Sequence, residues 1–154
     1  MRTILIIGLI LPLSPLLTQC STQTSEDISL NRKQNREYLL ENGKRADIIT
    51  TASGLQYQML TEGTGTKPTA TDFVTVNYSG NLINGQMFDK GEGIGFPLNG
   101  VIPGWTEGLQ LMNQGAKFRF YIPADLAYGD RGVGRVIPPD STLIFDVELV
   151  SIGR

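Results

Sequence analysis

The chain of 154 residues contains no histidine. That absence removes the imidazole base from any serine or cysteine nucleophile system and the commonest side-chain ligand from any metal site. The only cysteine, Cys20, has no partner for an intramolecular disulfide and forms no CxxC motif for redox or zinc chemistry. Lysine and arginine form no run and the net charge is −2, so the counterion release that drives nucleic-acid affinity has no source. Repeats and low-complexity tracts are also missing. Chemistry must therefore come from carboxylates, hydroxyls, backbone groups or shape, and neither a metal nor a cofactor is expected. What remains is an ordinary globular composition, with 40% apolar and 18% charged residues, at a length that suits one domain plus appendages.

The opening "MRTILIIGLILPLSPLLTQC" carries one basic residue, Arg2, then an apolar stretch from Ile4 to Leu17 interrupted by Pro12 and Pro15. It is too short for the roughly 20 apolar residues of a membrane-crossing helix, and prolines would weaken such a helix further. An export signal over residues 1–20 is the expectation. Leu17-Thr18-Gln19-Cys20 resembles the lipobox of bacterial lipoproteins, in which the cysteine is acylated, although Gln19 stands where that motif has a small residue. The resemblance implies lipidation at Cys20, with the following polar "STQTSED" as a tether and the lipid as the only link to a membrane. A soluble secreted protein with an incidental cysteine is the plainer alternative.

Residues 21–50 read as that tether followed by a solvated helical arm over Ser29–Asp47, with Gly43 near its end. Its apolar positions, Leu30, Tyr38, Leu39 and Leu40, are too few for a long coiled-coil seam, so the arm should pack only lightly, on the domain or on a partner. A linker is expected around Ile49–Ser53, and the folded domain over 51–154. Within it the pattern changes to period two in "LQYQML", "DFVTVNYSGNL", "KFRFYI" and "TLIFDVELV", which predicts half-buried antiparallel strands. Asn84-Gly85 marks a tight turn. "PGWTEGLQLM", Pro103 to Met112, is the one further helical stretch, with Trp105, Leu109 and Met112 on one stripe. The fold class is α+β: an antiparallel sheet covered by one short helix.

Three segments, "VTVNYSGNLINGQMFD", "FPLNGVIPGWTEGLQLM" and "AYGDRGVGRVIPPDSTLIFDVEL", closely resemble an FKBP-type peptidyl-prolyl cis-trans isomerase over about Thr51 to Ile152. "ENGKRADIITTASGLQY" is similar to the approach to the domain in exported bacterial relatives of the macrophage infectivity potentiator type, whose long dimerising helix would not fit this short arm. The resemblance implies a twisted sheet wrapped around one helix and a deep apolar hole between them. Carried over by position, Trp105 is the floor of that hole, and Tyr78, Phe88, Val101, Ile102, Val136, Ile137 and Phe145 are its walls. Asp89, the Tyr128 hydroxyl and the Ile102 N–H are its polar groups, and Phe88, Asp89, Ile102 and Tyr128 are the residues assigned to catalysis. By spacing alone, Trp105, Phe145 and Val101 would be ordinary core, while Tyr78 and Tyr128 could equally be rim residues. Phe118 and Phe120 are read as core, and Asp125, Asp130 and Asp146 as solvated or turn-forming residues.

The segment Lys90–Gly95 is shorter than the family's usual loop beside the hole, so Ile94 matches its apolar wall position only loosely. "YGDRGVGRVIPP", Tyr128 to Pro139, joins a glycine-rich half that permits positive φ to a proline-stiffened half. The activity implied is rotation of Xaa-Pro bonds in exported polypeptides, in the cell envelope and facing the periplasm. Partners would be proline-containing unfolded chains, with macrolides as inhibitors. A proline-pocket binding module or chaperone with little isomerase activity is the competing function, and a structural envelope lipoprotein that reuses the fold is a remoter one.

Overall fold

A computed structural model describes residues 23–153. The elements are helix α1 (Ser25–Asn42), strands β1 (Ile49–Thr50), β2 (Gln56–Thr61), β3 (Phe73–Leu82) and β4 (Met87–Pro97), helix α2 (Pro103–Leu109), and strands β5 (Lys117–Ile122) and β6 (Leu143–Gly153). The strands form one antiparallel sheet in the order β1-β2-β5-β6-β3-β4. Alternation places Val74 and Val76 of β3, Phe118, Phe120 and Ile122 of β5, and Leu143, Phe145, Val147 and Leu149 of β6 on the buried face. The β3–β4 hairpin closes at Asn84-Gly85, where the Leu82 N–H donates to the Gln86 carbonyl at 2.9 Å and Gly85 takes φ +87°.

Helix α2 lies against that face through Leu109 and Trp105, with Pro103 opening it. Its approach to β5 is close because Gly104 and Gly108 turn no side chain toward the sheet. A Cβ at Gly108 would sit 2.7 Å from the Phe120 ring, and one at Gly104 would overlap Ile122. Leu55, Leu98 and Met112 complete the core.

Several elements differ from the sequence expectation. Helix α1 starts at Ser25 rather than Ser29 because Thr24 and Asp27 form a capping box: the Asp27 N–H donates to Thr24 Oγ1 and the Thr24 N–H to Asp27 Oδ2. It ends at Asn42, where the Gly43 N–H caps the Leu39 carbonyl at 3.0 Å. The expected linker is in part a strand, since Ile49 and Thr50 pair with Tyr57 and Gln56.

The arm is also docked rather than loosely packed. Tyr121, on the face of β5 opposite Phe118, Phe120 and Ile122, is only 2% exposed and lies 6.2 Å from Tyr38 of α1, ring centre to ring centre. Asn42 Nδ2 donates to Gln56 Oε1, and Gln56 Nε2 donates to the Leu39 carbonyl. Asp146 is no merely solvated carboxylate either. It accepts from Arg119 Nε and Nη2 at 2.6 and 2.8 Å, a two-point pair that holds the guanidinium protonated far above its ordinary range.

Candidate active site

A cavity of about 560 Å³ opens between α2 and the concave face of the sheet, lined by Tyr78, Asp89, Ile94, Phe96, Gly100, Val101, Ile102, Trp105, Ala127, Tyr128 and Phe145. Trp105 projects from the first turn of α2 and is 6% exposed. Three aromatic rings hold it. Tyr78 and Phe145 meet it nearly edge to face, each at 5.1 Å and at 87° and 86°, and Phe96 meets it at 5.4 Å and 54°. These offset and perpendicular geometries are those that aromatic quadrupoles favour. The indole Nε1 is buried and finds no hydrogen-bond partner among the described residues.

Polar groups gather at the mouth. The Tyr78 hydroxyl donates to Asp89 Oδ2 at 2.9 Å, and the Lys90 N–H donates to Asp89 Oδ1 at 2.8 Å. Burial foremost, and then the Asp89 carboxylate, push the Tyr78 phenol up to about 12, so it stays a donor at any ordinary pH. Ile102 precedes α2 in an extended conformation, and its carbonyl takes the N–H groups of Trp105 and Thr106. Its own N–H has no protein acceptor among the described residues. Tyr128 stands opposite, exposed, at the start of its loop.

The structure therefore gathers Tyr78, Asp89, Val101, Ile102, Trp105, Tyr128 and Phe145 around one cavity. Three residues assigned to its walls are placed elsewhere. Phe88, half-buried, is not among the lining residues and meets Phe145 edge-on at 5.3 Å and 88°. Val136 and Ile137 do not line it, because the loop tip folds on itself. Val133 N–H donates to the Ile137 carbonyl, and Ile137 N–H to the Val133 carbonyl. That small hairpin turns Val136 to solvent, 47% exposed, and Ile137 into the core, 4% exposed. The glycines that permit it, Gly129, Gly132 and Gly134, all have positive φ.

Phe96, Gly100 and Ala127 line the cavity without having been singled out from the sequence. The signal of Phe96 was hidden because Lys90–Gly95 reads as a loop, whereas it is the middle of the strand β4. The pairing of β3 with β4 shifts between Val76↔Ile94 and Tyr78↔Gly91, and this bulge carries Glu92 and Gly93 outward while the Gly93 N–H donates to Asn77 Oδ1. Beyond the bulge, Ile94 and Phe96 both face the cavity.

Comparison with known proteins fixes the kinship of this arrangement. The family model described as "FKBP-type peptidyl-prolyl cis-trans isomerase" matches residues 64–150, which is more than half of the chain. The chain belongs to the FKBP-type peptidyl-prolyl cis-trans isomerase family. A second model, the domain amino-terminal to such isomerases, matches residues 14–59 and so spans α1. The FKBP-type isomerase FkpA of Aeromonas hydrophila is 51% identical over 136 residues, 86% of this chain and 50% of that protein. Outer membrane protein MIP of Legionella longbeachae is 43% identical over 90% of this chain and 61% of its own length. Among solved structures, a peptidyl-prolyl cis-trans isomerase of Pseudomonas syringae superposes with a TM-score of 0.79 at 38% identity, covering 82% of this chain and 96% of that one. The chain thus spans about half to three-fifths of the curated relatives it matches.

Proposed function

We propose that this FKBP-family chain is a peptidyl-prolyl cis-trans isomerase that turns Xaa-Pro bonds in polypeptides without covalent chemistry. The observation that carries the reading is the aromatic-floored cavity with Asp89, the Ile102 N–H and the Tyr128 hydroxyl set around its mouth. An Xaa-Pro amide rotates over a barrier of about 18–20 kcal/mol, because twisting breaks resonance, and takes tens to hundreds of seconds unaided. Shortening about 100 s to about 1 ms requires a factor of about 10⁵, or near 7 kcal/mol. No proton need move and no bond to the substrate need form, so a chain without histidine suffices.

The residues divide that task. Trp105, Phe96 and Phe145 offer the proline ring an apolar seat and strip water from the amide, which disfavours the more polar planar form. The Ile102 N–H and the Tyr128 hydroxyl are donors for substrate carbonyls on either side of the bond. Asp89, fixed by Tyr78 and the Lys90 N–H, sets the sign of the field at the mouth. Exposed Val133 and Val136, in the loop that begins at the cavity-lining Tyr128, favour a second reading, in which the chain mainly holds unfolded polypeptides. Exchange spectroscopy on an Xaa-Pro peptide separates the two: a catalyst raises the cis-trans exchange rate at substoichiometric concentration, whereas a binder shifts resonances without raising it.

The site of action is inferred to be the bacterial cell envelope, facing the periplasm. The basic residue and apolar stretch of the leader support export, as does the likeness to a protein named for the outer membrane. Cys20 would carry the lipid; it lies outside the described residues. Intact mass of the exported protein decides this, since acylation adds the mass of its fatty chains and an unmodified Cys20 overturns the assignment. Macrolide inhibitors are expected to enter the same cavity, against Ile94 and Phe96 of the bulged strand.

A further inference from the structure

Helix α1 is bound to the segment that closes the Tyr128 loop. Asn31 Nδ2 donates to the Pro139 carbonyl at 2.7 Å and to Ser141 Oγ at 3.2 Å. Arg32 gives Nε and Nη2 to Asp140 Oδ2 at 3.0 and 2.8 Å. Asn35, 3% exposed, accepts the Thr142 N–H at 2.7 Å, while its own amide donates to Asn31. Four successive residues, 139–142, are therefore held by one face of one helix. The same helix face shares a crevice with Pro123, Ala124 and Asp125, the turn that leads into the loop from its other end.

The conformation of the held segment shows what the tie is for. Asp140 has φ +58°, the one non-glycine with positive φ among the described residues. That conformation is uncommon outside glycine, although aspartate is among the side chains that adopt it most readily. Arg32 holds its carboxylate from α1. In that conformation the Asp140 N–H points back across the base of the loop and donates to the Gly129 carbonyl at 2.8 Å. Gly129 directly follows Tyr128, whose ring lines the cavity. A continuous chain of contacts thus runs from Arg32 through Asp140 and Gly129 to Tyr128.

We propose that Arg32 and Asn35 are positioning residues for the isomerase site, acting through the base of the 128–140 loop to fix Tyr128 at the cavity mouth. The inference rests on the isomerase reading only in giving Tyr128 a substrate to meet. Without the tie the loop base opens part of the time. Substrate then pays for a binding-competent state that is only fractionally populated, which raises KM by the inverse of that fraction and leaves turnover of the bound complex alone.

The test uses the full chain carrying Arg32→Ala or Asn35→Ala, with Lys33→Ala as a control, since Lys33 lies exposed on α1 and, among the described residues, pairs only with Glu37 of the same helix. Hydrogen exchange is the primary readout: protection of the Gly129, Val133, Ile137 and Asp140 amides should fall to within about twofold of free exchange in both variants and not in the control, with β5 and β6 unchanged. On an Xaa-Pro peptide, KM should rise about three- to tenfold with kcat within about twofold of the parent. In an Asp140→Gly background, where the carboxylate that Arg32 holds is gone and glycine keeps the positive φ, Arg32→Ala should add no further effect. Faster exchange confined to α1, with loop protection and KM as in the parent, overturns the inference, as does a full additive effect in the Asp140→Gly background. Absent turnover in the unsubstituted protein would refute the isomerase reading, while the exchange data still decide the tie.

Discussion

Tyr78 and Asp89 face each other across the cavity mouth, the phenol donating to the carboxylate at 2.9 Å from the adjacent strand. The pair orders an exposed carboxylate that would otherwise swing through solvent. Asp89→Val should lower kcat/KM on a proline peptide by at least about tenfold, because it deletes a preorganised charge. The thermal midpoint should stay within a few degrees of the parent's, about the shift for less than 1 kcal/mol in a domain of this size. Peptide turnover and calorimetry on the same preparation check both halves.

The raised phenol also predicts a pH response. Tyr78 titrates near 12 when folded against about 10 when unfolded, so between those values the folded state holds a proton that the unfolded state has lost. Stability from this group is complete below pH 10 and is lost as pH rises from 10 to 12. Tyr78→Phe should flatten the decline of the thermal midpoint across that window, as a comparison of alkaline melting curves would reveal. Activity, needing no proton transfer, should be level from about pH 6 to 9.

Phe96 and Val136 make opposite predictions. Phe96 packs on Trp105 inside the cavity, and Val136 points to solvent. Phe96→Ala should reduce kcat/KM on a short peptide about tenfold or more. Val136→Ala should change it less than about twofold, and steady-state kinetics on both variants decide whether the observed wall is the working one.

Trp105 is the chain's only tryptophan and lies at the cavity floor. Its fluorescence should therefore change saturably when a proline-containing peptide binds, with no other tryptophan to dilute the signal. Trp105→Leu should abolish both the response and most of the affinity. Titration with a peptide in which alanine replaces proline is the control that should leave the emission flat.

The arm carries a stability prediction. Asn42→Ala leaves the buried Gln56 Oε1 without its donor and should cost about 1–2 kcal/mol. Leu40→Ala, on the exposed face, should be neutral within about 0.5 kcal/mol. Denaturant unfolding measures both.

The sheet and α2 were legible because their signal is apolar periodicity: Val74, Val76, Phe118, Phe120 and Val147 alternate as a half-buried sheet requires. The arm was misjudged for the converse reason. Its docking stripe is Asn31, Asn35 and Asn42, which looks solvated until the groups that answer each amide are brought near by the fold. Nothing local in "KFRFYI" foretells the helix that covers Tyr121. In the site, residues fixed by the sheet and α2, such as Tyr78, Trp105 and Phe145, line the cavity together. The exceptions follow from nonlocal geometry. A bulge turns Lys90–Gly95 into strand and brings in Phe96, and a miniature hairpin, closed by two backbone bonds between Val133 and Ile137, takes Val136 and Ile137 out of the wall.

The central claim is catalysis of prolyl rotation, and refolding of a protein limited by a trans-to-cis prolyl step tests it most directly. Added at substoichiometric, micromolar concentration, the chain should speed the slow phase in proportion to its concentration, and Asp89→Val should remove most of that gain. An unchanged slow phase with the folded, unsubstituted protein would contradict the account.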